Sequence, residues 1–64
     1  MEYKNFYFET ADGDMFFVVI EEDGTPQKEQ LAEAIARARH FFGGPKCFGW
    51  VTDEVADEWG FDTY

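Results

Sequence analysis

Any chemistry done by this chain has to come mainly from its carboxylates. Residues 52–64 hold Asp53, Glu54, Asp57, Glu58 and Asp62 and no basic residue. If this piece is helical, 100° per residue places Asp53, Glu54, Asp57 and Glu58 within an arc of about 140°. Val55, Ala56 and Trp59 then occupy the other side, so the helix would pack by one face and show four carboxylates on the other. From Asp53 to Glu58 the axis rises about 7.5 Å, or one charge per roughly 2 Å, and duplex DNA carries one per about 1.7 Å. A second acidic set, Glu21-Glu22-Asp23, lies in the turn before a helix, and Asp12 and Asp14 lie in a hairpin turn. A folded surface of that density could occupy the basic cleft of a nucleic-acid-binding protein, using the Lys and Arg that would otherwise hold phosphates. Carboxylates held on a fold have already lost part of their freedom, so they can compete with a flexible polyanion. The plainer reading is that these acids serve helix capping and solubility.

Other chemistries find less in the sequence. Acid–base catalysis by paired carboxylates needs a cleft that shifts one partner's proton affinity, and a chain of 64 residues leaves little room for one. His40 and Cys47 suggest a thiol–imidazole pair, but Gly43-Gly44-Pro45 separates them and no third group orients the imidazole. His40 reads as a surface residue near a helix end and Cys47 as a small core residue. One Cys and one His are too few for zinc. Neither Asp12-Gly13-Asp14 nor Glu21-Glu22-Asp23 has the spacing of a calcium loop. Phe6, Phe8, Phe16, Phe17, Trp50 and Trp59 lack the interleaved Lys and Arg of a base-stacking platform and read as core. No cofactor is expected, and no enzymatic activity.

The whole-chain figures narrow the classes further. Fourteen Asp and Glu against five Lys and Arg give a formal net charge of −9 on 64 residues. That balance disfavours direct contact with nucleic acid or an anionic membrane surface. No run approaches the roughly 18 apolar residues of a membrane span, and no secretory signal pattern is visible. With hydrophobic residues at 45% the chain is expected to fold rather than stay disordered. Cys47 is the only cysteine, which excludes an intrachain disulfide and fits a reducing, cytosolic compartment. Stability must therefore come from aromatic mass, eight Phe, three Tyr and two Trp, or from self-association.

The elements that would position these residues form a single domain, 1–64. Tyr3 to Glu9 reads as a strand, with Lys4, Phe6 and Phe8 on one face and Tyr3, Asn5 and Tyr7 on the other. Ala11-Asp12-Gly13-Asp14 is turn chemistry, and residues 15–20 form a second strand paired antiparallel with the first. Thr25-Pro26 predicts a helix start, with the Thr25 hydroxyl as N-cap. Leu31, Ala34, Ile35, Ala38, Phe41 and Phe42 recur at helical spacing, Glu33 and Arg37 can pair four apart, and Gly43-Gly44-Pro45 ends the helix. Residues 46–52 predict a third strand with a bend or bulge at Gly49. Thr52 or Asp53 can cap a short helix ending near Gly60, and residues 61–64 read as a tail. The expected class is α+β, a small antiparallel-rich sheet in the order β-β-α-β-α with the long helix across it. Residues 15–20 are apolar without alternation, which implies cover on both faces. Either the C-terminal segment with Trp59 and Phe61 supplies the second cover, or another copy does; the monomer is preferred.

Size, charge, compact α+β layout, absence of a catalytic motif and the Asp53-Glu54…Asp57-Glu58 cluster together resemble the small acidic anti-CRISPR proteins of phages and mobile elements. The resemblance is one of character, rests on no diagnostic motif and carries over no residues. It implies a protein that binds a subunit of a CRISPR interference complex in the host cytosol and blocks target DNA recruitment, as a DNA mimic, by allostery or by dimerising its target. The partner-binding residues expected from the chain itself are Asp53, Glu54, Asp57 and Glu58, with Glu21, Glu22 and Asp23 as a second patch. The alternative is a general interaction or assembly module that binds through aromatic surface, with acidity serving solubility.

Overall fold

The structure is a computed structural model that describes residues 2–64. Strands β1 (Tyr3–Glu9) and β2 (Met15–Glu21) pair antiparallel, with Phe6 opposite Val18 and Phe8 opposite Phe16. The hairpin closes through Thr10 and Asp14, whose backbone groups bond at 2.9 Å while the Asp14 N–H also donates to the Thr10 hydroxyl. Gly13 takes a φ of 89°, which a side chain would resist. Strand β3 (Lys46–Val51) adds antiparallel to the other edge of β1. Its register slips between Tyr7, opposite Gly49, and Phe8, opposite Cys47, so Phe48 is the extra residue of a bulge at the expected glycine.

The helix α1 (Gln27–Phe42) lies over one sheet face, where Phe6, Phe8, Phe16, Val18 and Ile20 pack against Ala34 and Ala38. Two alanines on the contact stripe let the helix approach the sheet closely, and Leu31 and Ile35 flank them, partly buried. Glu33 and Arg37 form the anticipated pair at 3.5 Å, and Gly43 ends the helix at a φ of 82°. Two expectations are corrected here. Thr25 does not cap α1: Pro26 occupies the N-cap position and its carbonyl takes the N–H groups of Glu29 and Gln30. The Thr25 hydroxyl is turned back to Asp23 instead, a nearer acceptor within the same turn. Phe41 does not enter the core but is 52% exposed, its ring against Phe42, Tyr64 and His40.

The second face is covered as the unbroken apolar run of β2 requires. Helix α2 (Asp53–Trp59) and the residues after it set Trp59 and Phe61 against Phe17, and Trp59 edge-on to Tyr7 with centroids 5.0 Å apart. Ala56 is buried on the inner side of α2, and Gly60 stops the helix in the left-handed region. The tail expected at 61–64 contains a two-residue strand, β4 (Asp62–Thr63), parallel to β2. The Tyr64 N–H then donates to the Phe17 carbonyl at 2.8 Å. Peptide groups at an open strand edge attract any chain led past them, and the Gly60 turn leads this one there. The result is a mixed four-stranded sheet in the order β3-β1-β2-β4. No helix of the described residues is long and apolar enough to cross a membrane.

Candidate functional site

The two acidic sets, about thirty positions apart in sequence, meet at one end of the sheet. The start of β1, the end of β2 and the turn from β3 into α2 enclose a hollow of about 420 Å³. Glu22, Asp53 and Glu54 line it, together with Glu2, Lys4 and the half-exposed Trp50. Lys4 organises the inner wall. It stands on the core face of β1 in line with Phe6 and Phe8, so its ammonium needs partners near the start of α1. Lys4 Nζ lies 2.9 Å from Glu22 Oε2, donates to Gln30 Oε1 at 2.9 Å, and sits 4.8 Å from the centre of the Trp50 ring. Gln30, buried on α1, passes the chain on by donating from Nε2 to Glu22 Oε1 at 3.1 Å. Every polar end in this cluster is thereby satisfied.

The seven expected partner-binding residues divide by what their oxygens touch. Glu22 is turned inward, and the Lys4 hydrogen bond holds its carboxyl below the ordinary value, against a smaller opposing effect of burial. Asp23 accepts from both the hydroxyl and the backbone N–H of Thr25, which hold its carboxyl down likewise. Asp53 accepts from Asn5 Nδ2 at 2.7 Å, and the same amide group donates to the Val51 carbonyl at 3.3 Å. This bond ties the first turn of α2 to the buried Asn5, on the face of β1 away from α1. Glu21, Glu54, Asp57 and Glu58 are exposed, and among the described residues no ion pair or side-chain hydrogen bond engages them. Glu54 joins the hollow, whereas Asp57 and Glu58 stand on the outer side of α2 away from it. Glu21 and Asp23 line a separate hollow of about 360 Å³ between β2 and α1, beside Arg37. Arg37 there donates to the Val19 carbonyl at 3.0 Å, closing the β2 edge beyond the reach of β4.

Sequence reasoning missed Lys4, Asn5 and Gln30 as members of this end of the molecule, and read as core Trp50, which is 39% exposed. The signal for the first was present, because a lysine on an apolar strand face implies a buried acceptor. The pairs Lys4–Gln30 and Asn5–Asp53 span 26 and 48 positions, and local pattern gives no hint of their register.

Cys47 is half-buried at the β3 edge of the core, where burial pushes its thiol up, opposite to what a nucleophile needs. Its Sγ faces the Gly49 carbonyl, and no contact joins it to His40 among the described residues. No three His, Cys, Asp or Glu side chains converge as metal ligands would among the described residues. What the hollow and the outer face of α2 offer chemically is a display of carboxylates on a braced scaffold. No family model matches the chain, and no curated protein or solved structure shows a significant match to it.

Proposed function

We propose that this chain is a stoichiometric inhibitor that occupies the nucleic-acid cleft of a basic protein, with a CRISPR interference complex as the target class. The observation that carries this reading is the bracing of α2. Trp59 and Ala56 pack it onto the sheet, Asn5 holds Asp53, and Glu54, Asp57 and Glu58 are left facing solvent. Carboxylates so placed act together on one cationic surface, and their ordering cost is met when the protein folds. The overall charge of −9 adds long-range attraction to a basic partner and repulsion from nucleic acid itself. Partner choice, phage origin and inhibition come from the resemblance described above.

The test is a mobility-shift titration of target DNA on a purified interference complex at two salt concentrations. Displacement of DNA, weaker at the higher salt, is the expected result. No displacement from complexes of several types would remove the CRISPR assignment.

A second reading, an assembly module using aromatic surface, is favoured by one patch. Phe41, Phe42 and Tyr64 are exposed and in mutual ring contact at the far end of α1, over Phe16. Binding through this patch would tolerate salt and fail on Phe41→Ala.

A further inference from the structure

The hollow beside Trp50 already holds one cation and has the groups to hold another. Lys4 shows the mode: an ammonium placed over an indole ring and paired with a carboxylate. Four carboxylates line the hollow, those of Glu2, Glu22, Asp53 and Glu54, against the single ammonium of Lys4. Asn5 is bonded to one oxygen of Asp53, which leaves the other able to accept, and among the described residues no cation is paired with Glu2, Asp53 or Glu54. Trp50 keeps 39% of its surface open.

We propose that this hollow seats an arginine side chain presented by a basic partner, its guanidinium stacked on Trp50 and hydrogen-bonded to Asp53 and Glu54. The inference rests on the reading above for the partner's basic character and adds the anchor by which such a partner is held. Arginine fits better than lysine because a planar, weakly hydrated guanidinium stacks on an indole and donates to two carboxylates at once. A second copy of this chain is the poorer occupant. It also carries a charge of −9, so two copies repel each other.

The probe is the capped tripeptide acetyl-Gly-Arg-Gly-amide, titrated into the ¹⁵N-labelled full chain and followed by NMR. Peptides with lysine or with citrulline, the uncharged isostere, replace arginine in parallel titrations. The expected result is a saturable shift of the Trp50 indole N–H and of Glu54, about threefold or more tighter for arginine than for lysine and absent for citrulline. Trp50→Leu should weaken binding about tenfold or more, and Glu54→Gln should weaken it a few-fold while leaving the spectrum of the fold intact. The proposal is overturned if citrulline binds as arginine does, or if shifts spread equally over Asp57 and Glu58. It is likewise overturned if the Trp50 signal moves with protein concentration alone, which would mean a second copy sits there, or if folded Glu54→Gln binds unchanged. Competition with DNA separates this site from the inhibitor reading. Peptide binding without competition leaves the site standing and removes the inhibitor; undiminished competition by folded Trp50→Leu does the reverse.

Discussion

The acids at 21–23 and those at 53–58 look alike in sequence, each a short dense run beside a helix, yet their oxygens are used differently. In the first run Glu22 closes an ion-paired cluster with Lys4 and Gln30, and Asp23 closes the turn with Thr25. In the second, among the described residues, only the Asp53 side chain is bonded within the fold, and Glu54, Asp57 and Glu58 stand on the open side of a helix whose other side is packed. Formal charge therefore overstates the surface a partner would meet at the first run and represents it well at the second. The difference comes from the neighbours. The turn lies beside a lysine on the core face of β1, whereas among the described residues no cation is paired with the exposed acids of α2.

That contrast can be broken most severely by removing the packing beneath α2. Trp59→Ala takes away the ring shared by Tyr7, Phe17 and Phe61. It should cost about 3 kcal/mol, at the low end for a core aromatic because Trp59 is partly exposed. Urea denaturation measures this, and loss of binding with every carboxylate still present would show that their placement matters.

Lys4→Met attacks the inward-facing run. It deprives the buried Gln30 amide of a donor, and should cost about 1–3 kcal/mol in the same measurement. It should also alter the acid limb of stability. Lys4 holds the Glu22 carboxyl below its ordinary value of 4.5, so the stabilisation is complete above that value and is lost as pH falls through the lowered one. Wild-type stability should therefore drop on acidification below about 4.5, and Lys4→Met should drop less steeply over that window. The smallest effect is expected at the outward acids. Glu54→Gln, Asp57→Asn and Glu58→Gln together should change stability by no more than about 0.5 kcal/mol, while weakening any binding to a basic partner.

Much of this fold was legible because its signals are local. Asp12-Gly13 marks the hairpin, the Leu31–Ala38 spacing marks α1, Gly43-Gly44-Pro45 its end and Gly60 the end of α2. The unbroken apolar run at 15–20 called for cover on both faces but left two covers open, the C-terminal segment or another copy; Trp59 and Phe61 of that segment lie against Phe17. Strand β4 was not legible, because Asp62-Thr63 carries no strand signal and pairs only because the Gly60 turn leads it to the β2 edge. Nor was the Thr25 side chain, which had two acceptable uses, at the helix start or toward Asp23, and took the second. At the candidate site the acidic runs could be read but their engagement could not. Lys4, Asn5 and Gln30 reach them across 18, 48 and 8 positions, distances at which only the folded register decides contact.

The central claim is that placement on α2, rather than net charge, makes the acids effective. The most direct measurement compares two variants of equal charge in the DNA-competition titration, Asp57→Lys/Glu58→Lys on α2 and Asp12→Lys/Asp14→Lys in the hairpin turn. The account predicts that the α2 variant loses competition about tenfold or more while the hairpin variant stays close to wild type. Equal losses in the two would contradict it.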